Sequence, residues 1–506
     1  MKEFCGVIAA TKLDGHDDIS DEIIRGLSKL QHRGQLSAGI TTFSPKRDPR
    51  LITMKGMGLV RHVFGEGIPS QHSGKAGIGH VRYATSGGDE LREAQPFQFN
   101  AGIEAALAFN GNIANFRELV RRYAHEGVNI DPYIDTAVIQ QVVSDHLTEG
   151  DFIDSPHALA RTLDGAYSLV MINGSGEILA YRDHHGFKPL CFTVTDEMLL
   201  VASESVALNT YGSSIQTLPP GCSLWYSPNE GVVRINRVLY PKPSRCFFEF
   251  VYFANEESII DDHSVGESRV NMGEYLATIE TVTIDSDCVA ISVPSSANRA
   301  CEGFAKALGI ETKQGLKKRK NARRTFIESK DRYEKVRKKF EIDPSAFEGK
   351  KVFLIDDSLV RSTTVRVLIE EIKRVSNPKE IHLRIACPPI SAPCFYGINI
   401  PNDSELFAKN FSDPSEDDLP EEVLGHMARE LGISSIKFLP SKAVLQTVGG
   451  ETRDLCLACV SGVYPTPAGV ERYEESQINP ESSDIEFSTP SAPEKSCDLE
   501  SAVGIA

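Results

Sequence analysis

The sharpest change of hydrophobic period in this chain falls between residues 352 and 372. Val352 to Ile355 is an unbroken apolar run, the pattern of a strand buried on both faces of a parallel sheet. From Val365 the apolar positions 365, 368, 369 and 372 recur at helical spacing. A strand, a loop and a helix are predicted in that order. Upstream, a strand over 287–293 and a helix over 299–308 repeat the alternation of an α/β domain.

The amino-terminal half reads as short strands and turns. Cys5 opens a β-like run, residues 30–40 form a polar, glycine-punctuated loop leading into a strand, and 77–85 is a strand ending in Arg82 and Thr85. Residues 109–115, headed by Phe109-Asn110-Gly111, read as a turn; a helix starts at Asp135, and 163–170 and 201–205 are further strands and turns. Pro241 to Ser244 marks a boundary, so the expected units are 5–240 and 245–465. Beyond Thr466 the chain is rich in Pro, Ser and Glu, and 466–506 is expected to be a disordered tail.

A chain of 506 residues that is 41% hydrophobic has room for two or three cores. The net charge of −16 argues against a nucleic-acid partner, and no apolar run reaches the length of a membrane span. Four residues before Cys5 leave no room for a secretory leader, so a cytoplasmic protein is expected. Eleven cysteines with one C-x-x-C pair point to thiol or metal chemistry in a reducing compartment.

Between the strand and helix at 352–372 lie Asp356, Asp357, Ser358, Arg361, Ser362, Thr363 and Thr364. Ligands collect at the carboxyl ends of parallel strands, and amides and hydroxyls at a helix start bind anions. The paired acids could hold ribose hydroxyls or Mg²⁺, which suits a phosphorylated sugar. An acidic turn with a Thr cap fits the bare pattern equally well. The stretch resembles the diphosphosugar loop of type I phosphoribosyltransferases, with Ser362 in place of that family's Gly.

If residues 1–4 were removed, Cys5 would carry an α-amine, titrating near about 8, beside its thiol, so one residue would supply nucleophile and base. Taken alone, an early cysteine is more often a buried strand residue. Together with the 30–40, 77–85, 109–115 and Asp135 stretches, it resembles the N-terminal-nucleophile glutaminase domain of glutamine amidotransferases, an αββα sandwich. The resemblance implies that Asn110 and Gly111 form an oxyanion hole, that Arg82 and Asp135 grip the glutamine α-carboxylate and α-ammonium, and that Arg33 and Thr85 shape the pocket. Leu36, Phe109 and Lys188 depart from the family pattern without removing a catalytic group.

The two halves together resemble the amidophosphoribosyltransferase family over roughly residues 5–465. That implies an α/β plus α+β protein which uses glutamine and phosphoribosyl pyrophosphate, with Mg²⁺ held near Ser296, Asp356 and Asp357. Purine nucleotide inhibitors and a homo-oligomer are also implied. Thirteen Lys and Arg lie between Lys313 and Lys339, a run that reads as a solvated face or a nucleic-acid patch. The family places there a loop that closes over pyrophosphate, with Arg324 in the matching segment and Arg319-Lys320-Asn321 and Ser295 departing from the pattern. The C-x-x-C of Cys456 and Cys459 could be a zinc half-site or chance; one branch of the family places a [4Fe-4S] cluster on Cys246, Cys394, Cys456 and Cys459. A regulatory relative without turnover, or a glutaminase uncoupled from the sugar, stays open from the residues alone.

Overall fold

The computed structural model describes residues 5–14, 18–65, 69–83, 91–132, 134–212, 214–319, 340–400, 405–411, 419–449 and 454–478. Thr85, Arg324, Lys320-Asn321, residues 1–4 and the end of the tail lie outside them.

The strand Cys5–Lys12 runs between Ala76–Arg82 and Met198–Ala202 near the middle of a seven-stranded antiparallel sheet. Its alternation decides the layers. Val7 and Ala9 face a core shared with Ala106, Ala108, Val170 and Ile172 of a second, six-stranded sheet. Ile8 and Ala10 face the other way, against Ile23 and Leu27 of the helix Ser20–Lys29. On the far side of the second sheet, Leu107, Phe109, Leu169 and Met171 pack on the helix Asp135–Leu147. The order is helix, sheet, sheet, helix, as the resemblance implied.

The turn expected at 109–115 is instead the end of a strand, Glu104–Ile113, paired through Ile113 with Gly165–Asn173. Asn-Gly makes a hairpin only where pairing ends, and here the strand Gly165–Asn173 continues the pairing past it. A Cβ on Gly111 would lie 1.9 Å from the Ala166 carbonyl oxygen, so this glycine serves close approach.

The second unit is built on a five-stranded parallel sheet whose middle strand is Lys351–Asp356, flanked by Cys288–Ser292 and Glu380–Ile385. Val352 to Ile355 are fully buried, and the helix Thr363–Val375 follows as its period required. Helices Val265–Thr278 and Asn298–Leu308 cross at two glycines: a Cβ on Gly273 would meet the Ala300 carbonyl oxygen at 1.9 Å, and one on Gly303 the Val270 oxygen at 2.1 Å. The basic run opens on a two-stranded ribbon, Leu316–Lys318 with Phe340–Ile342.

The two units share buried polar contacts. Arg182 makes a two-pronged pair with Asp261 at 2.7 and 2.9 Å, and Asn112 Nδ2 donates to the Phe395 carbonyl at 2.7 Å. Asp261 and Asp262 form a two-residue hairpin turn with both φ positive, at 47° and 67°. Asp261→Asn tolerates that backbone but removes the charge, leaving Arg182, 1% exposed, without its counter-ion. Loss of roughly 3 kcal/mol is expected in denaturant unfolding; a midpoint unchanged from wild type would show the pair contributes no stability.

The tail differs from expectation at its start. Pro467–Ile478 is a helix, with Ala468 and Tyr473 packed on Phe395, Tyr396 and Tyr464, and the Ala468 amide donating to Asp164 at 2.9 Å. Composition pointed to disorder because this segment has few apolar residues, and the two that pack, Ala468 and Tyr473, meet aromatic partners outside the segment.

Candidate functional site

Cys5 stands at the start of its strand, opposite Arg82, and is fully buried. Its backbone N–H donates to Asn110 Oδ1 at 3.3 Å, which joins the two sheets. That fixes the Asn110 amide, whose Nδ2 is buried with no partner among the described residues. A buried donor on a side chain bonded to the Cys5 backbone, with Gly111 next to it in sequence, is what a developing oxyanion requires. Phe109 lies in the core; its N–H donates to Gln95 Oε1 at 2.8 Å, and Gln95 Nε2 donates to Thr136 Oγ1 at 3.3 Å. Gln95 therefore ties the Asn110 strand to the helix that begins at Asp135. His80, beside the Phe109 carbonyl, is pushed down to about 3 by burial and then by Arg82, so it is neutral.

Arg82 is buried and ion-paired with Glu93. Arg33 is buried. Its Nε donates to the Cys5 carbonyl at 2.9 Å, and its two terminal nitrogens hold Glu249 at 2.8 and 2.9 Å and also meet Glu204. Burial alone would lower the Arg33 pKa and raise that of Glu204, but mutual attraction, with His32 2.8 Å from Glu204, outweighs it for both. Arg33 thus fixes the Cys5 backbone.

In the second unit a cavity of about 680 Å³ opens at the carboxyl end of Lys351–Asp356. Its wall carries Ser296 and Asp356 to Arg361, and also Lys29, His32 and Tyr83 from the first unit, so it spans both. Asp357 accepts from Ser358 Oγ at 2.6 Å and from Ser296 Oγ, and its amide donates to Asp356 Oδ1 at 2.9 Å. Arg361 is held by Glu405. The Oγ of Ser362, which stands in place of the family's Gly, accepts from Arg366 Nε at 2.9 Å. Arg269, buried in the same wall, donates to the Phe250 and Ala254 carbonyls at 2.7 and 2.8 Å.

Among the described residues no three ligand-type side chains converge as a single-ion site. Two acids and a hydroxyl still suit Mg²⁺, which commonly takes one or two carboxylates and completes its shell with water and substrate phosphate. The four cysteines meet at the junction of the units. Cys246 pairs with Cys456 across two short parallel strands, and Cys394 and Cys459 lie within electrostatic reach of both. Burial pushes the Cys246 thiol up to about 12, against the pull of Lys188, and Cys394 Sγ accepts the Tyr396 and Ile398 amides at 3.3 and 3.4 Å. Four buried or half-buried thiols, with amides on Cys394 and the positive charge of Lys188 acting on Cys246, fit an anionic thiolate cluster.

Glu93, Gln95, Glu204, Glu249 and Arg269 were not singled out in the sequence. Glu249 carried a signal: a lone acid within the aromatic run Phe247 to Phe253 must be paired when buried.

A glutamine amidotransferase domain model matches residues 80–210. The amidophosphoribosyltransferase of Methanothermobacter thermautotrophicus is 35% identical over 482 residues, covering 94% of this chain and 97% of its own. That of Bacillus subtilis is 34% identical over 477 residues, covering 92% and 95%. A solved structure of the B. subtilis glutamine phosphoribosylpyrophosphate amidotransferase, complexed with ADP and GMP, superposes with a TM-score of 0.79 at 32% identity, covering 92% of this chain and 98% of that one.

Proposed function

This chain belongs to the amidophosphoribosyltransferase family, which carries out the first step of purine biosynthesis, and from that premise we propose how its residues divide the work. With residues 1–4 removed, the Cys5 amine takes the thiol proton and the sulfur attacks the glutamine amide carbon. Asn110 Nδ2 and the Gly111 amide receive the negative charge on oxygen. Arg82 and Asp135 hold the amino-acid head group, while Arg33 keeps Cys5 in place from behind. Ammonia leaves, and water hydrolyses the thioester to glutamate.

The ammonia then crosses the cavity shared by both units and bonds to C1 of phosphoribosyl pyrophosphate as the C1–O bond to pyrophosphate breaks. The products are phosphoribosylamine and pyrophosphate. Asp356, Asp357 and the hydroxyls of Ser358, Thr363 and Thr364 hold the sugar and its phosphates, with Arg361 and Arg324 on the anionic side. Mg²⁺, held by Asp356, Asp357 and Ser296, would offset the pyrophosphate charge. The observation that carries the reading is the partnerless Asn110 Nδ2 beside Cys5. Following phosphoribosyl pyrophosphate consumption with glutamine and then with ammonia tests it: an enzyme with both sites consumes the sugar with either donor. A purely regulatory relative consumes it with neither, and an uncoupled glutaminase releases glutamate alone.

The same reading gives the four cysteines a [4Fe-4S] cluster, supported by their convergence and by the amides on Cys394. The cluster would pin the chain end to both units. Protein purified without oxygen is expected to be brown and to contain iron and sulfide, and Cys456→Ser to lose both and unfold at lower temperature. Colourless, iron-free wild type would refute the assignment. Purine nucleotides as inhibitors belong to this proposal too, supported by the relative solved with ADP and GMP.

A further inference from the structure

The helix Thr363–Val375 begins at Ser362, and its first internal bond is Arg366 N–H to the Ser362 carbonyl at 2.8 Å. The amides of Thr363, Thr364 and Val365 therefore have no acceptor within the helix. A serine in this position ordinarily turns its hydroxyl onto the second or third of those amides. Ser362 does not: its φ of −67° and ψ of −14° are helical, and its side chain makes no capping bond. Its backbone is open to any residue, so a glycine here would matter only for the space it leaves.

The hydroxyl is engaged elsewhere. It accepts from Arg366 Nε at 2.9 Å, and Arg366 is anchored by its Nη1 on the Glu430 carbonyl at 3.0 Å, by an ion pair with the Glu430 carboxylate, and by the Phe407 ring 5.9 Å from Cζ. The cavity wall includes Ser358 to Arg361 and Thr363 to Val365, and passes over Ser362.

We propose that Arg366 is a positioning residue for phosphoribosyl pyrophosphate, a latch that draws the Ser362 hydroxyl back and leaves the helix-start amides for the substrate's phosphate. Without it, the serine is a competitor built into the chain: a neutral oxygen able to occupy the donors that the anion needs. The latch offsets the replacement of glycine by serine in this loop. The inference rests on reading residues 356–364 as the sugar-phosphate site.

Arg366→Lys is the discriminating variant. Lysine keeps a cation for Glu430 but has a methylene where arginine has Nε, so it loses the bond to Ser362; it also loses the second prong on the Glu430 carbonyl, a loss common to both backgrounds below. In the full-length protein with Mg²⁺, calorimetric titration of phosphoribosyl pyrophosphate is expected to show about fivefold weaker binding, the factor a competing cap bond of ordinary strength supplies. In the ammonia reaction KM rises and kcat at saturation is retained. On a Ser362→Gly background the same Arg366→Lys change is expected to shift affinity less than about twofold, because the competitor is gone. An equal loss on both backgrounds, or no loss with serine present, overturns the latch. Asp357→Asn is the control for the underlying reading: if it binds normally, the site assignment itself fails, whatever Arg366 does.

Discussion

Cys5→Ser is expected to lose glutamine-dependent synthesis by at least about a thousandfold while ammonia-dependent synthesis stays close to wild type. Serine fills the same space, so the bonds from Arg33 to the residue-5 carbonyl and from its amide to Asn110 persist, and the second unit has no reason to change. What is lost is acidity. A thiol titrates near about 8.5, within reach of an α-amine, whereas an alcohol does not. Parallel assays with each nitrogen donor check this, and an equal fall in both would contradict two separate sites. Intact mass of active protein still carrying Lys2-Glu3-Phe4 would sink the amine-as-base step, since an acylated nitrogen cannot take the thiol proton.

The converse variant is Asp357→Asn, expected to cost synthesis at least about a hundredfold with either donor. Both Asp357 oxygens already accept, one from Ser358 and the other from Ser296. An amide offers one acceptor and turns donors toward the second hydroxyl and toward any cation. The intrinsic glutaminase should survive, because Cys5, Asn110 and Arg82 belong to the other unit. Product formation with ammonia at the wild-type rate would reduce the acidic pair to a turn.

The placement of these two residues, at the start of one strand and just past the end of another, was legible because each lies in a short segment with a clear local pattern: two acids before a hydroxyl loop, a cysteine opening a strand. The parts that escaped are those whose meaning lies far along the chain. The ion pairs of Arg33 escaped because its partners, Glu204 and Glu249, are more than 170 positions away. Asn110-Gly111 looked like a turn because nothing local announces the strand 165–173 that pairs with it. Ser362 showed only that a side chain had replaced a hydrogen; where that side chain goes is decided by Arg366 and Glu430. Period and composition report what one segment prefers, and tertiary partners decide which preference is used.

The pairing of Arg245–Cys246 with Leu455–Cys456 also has a consequence for synthesis. About two hundred residues separate the strands, so at ordinary ribosomal speed the first waits on the order of 10–40 s for the second to be made. Through that interval the amino-terminal unit is complete in sequence but lacks the segment that closes over Cys246 and the helix that docks on Asp164. Its half-finished edge is exposed to proteases and to neighbouring chains on the same messenger, so the time of greatest risk for this protein comes before residues 455–478 emerge.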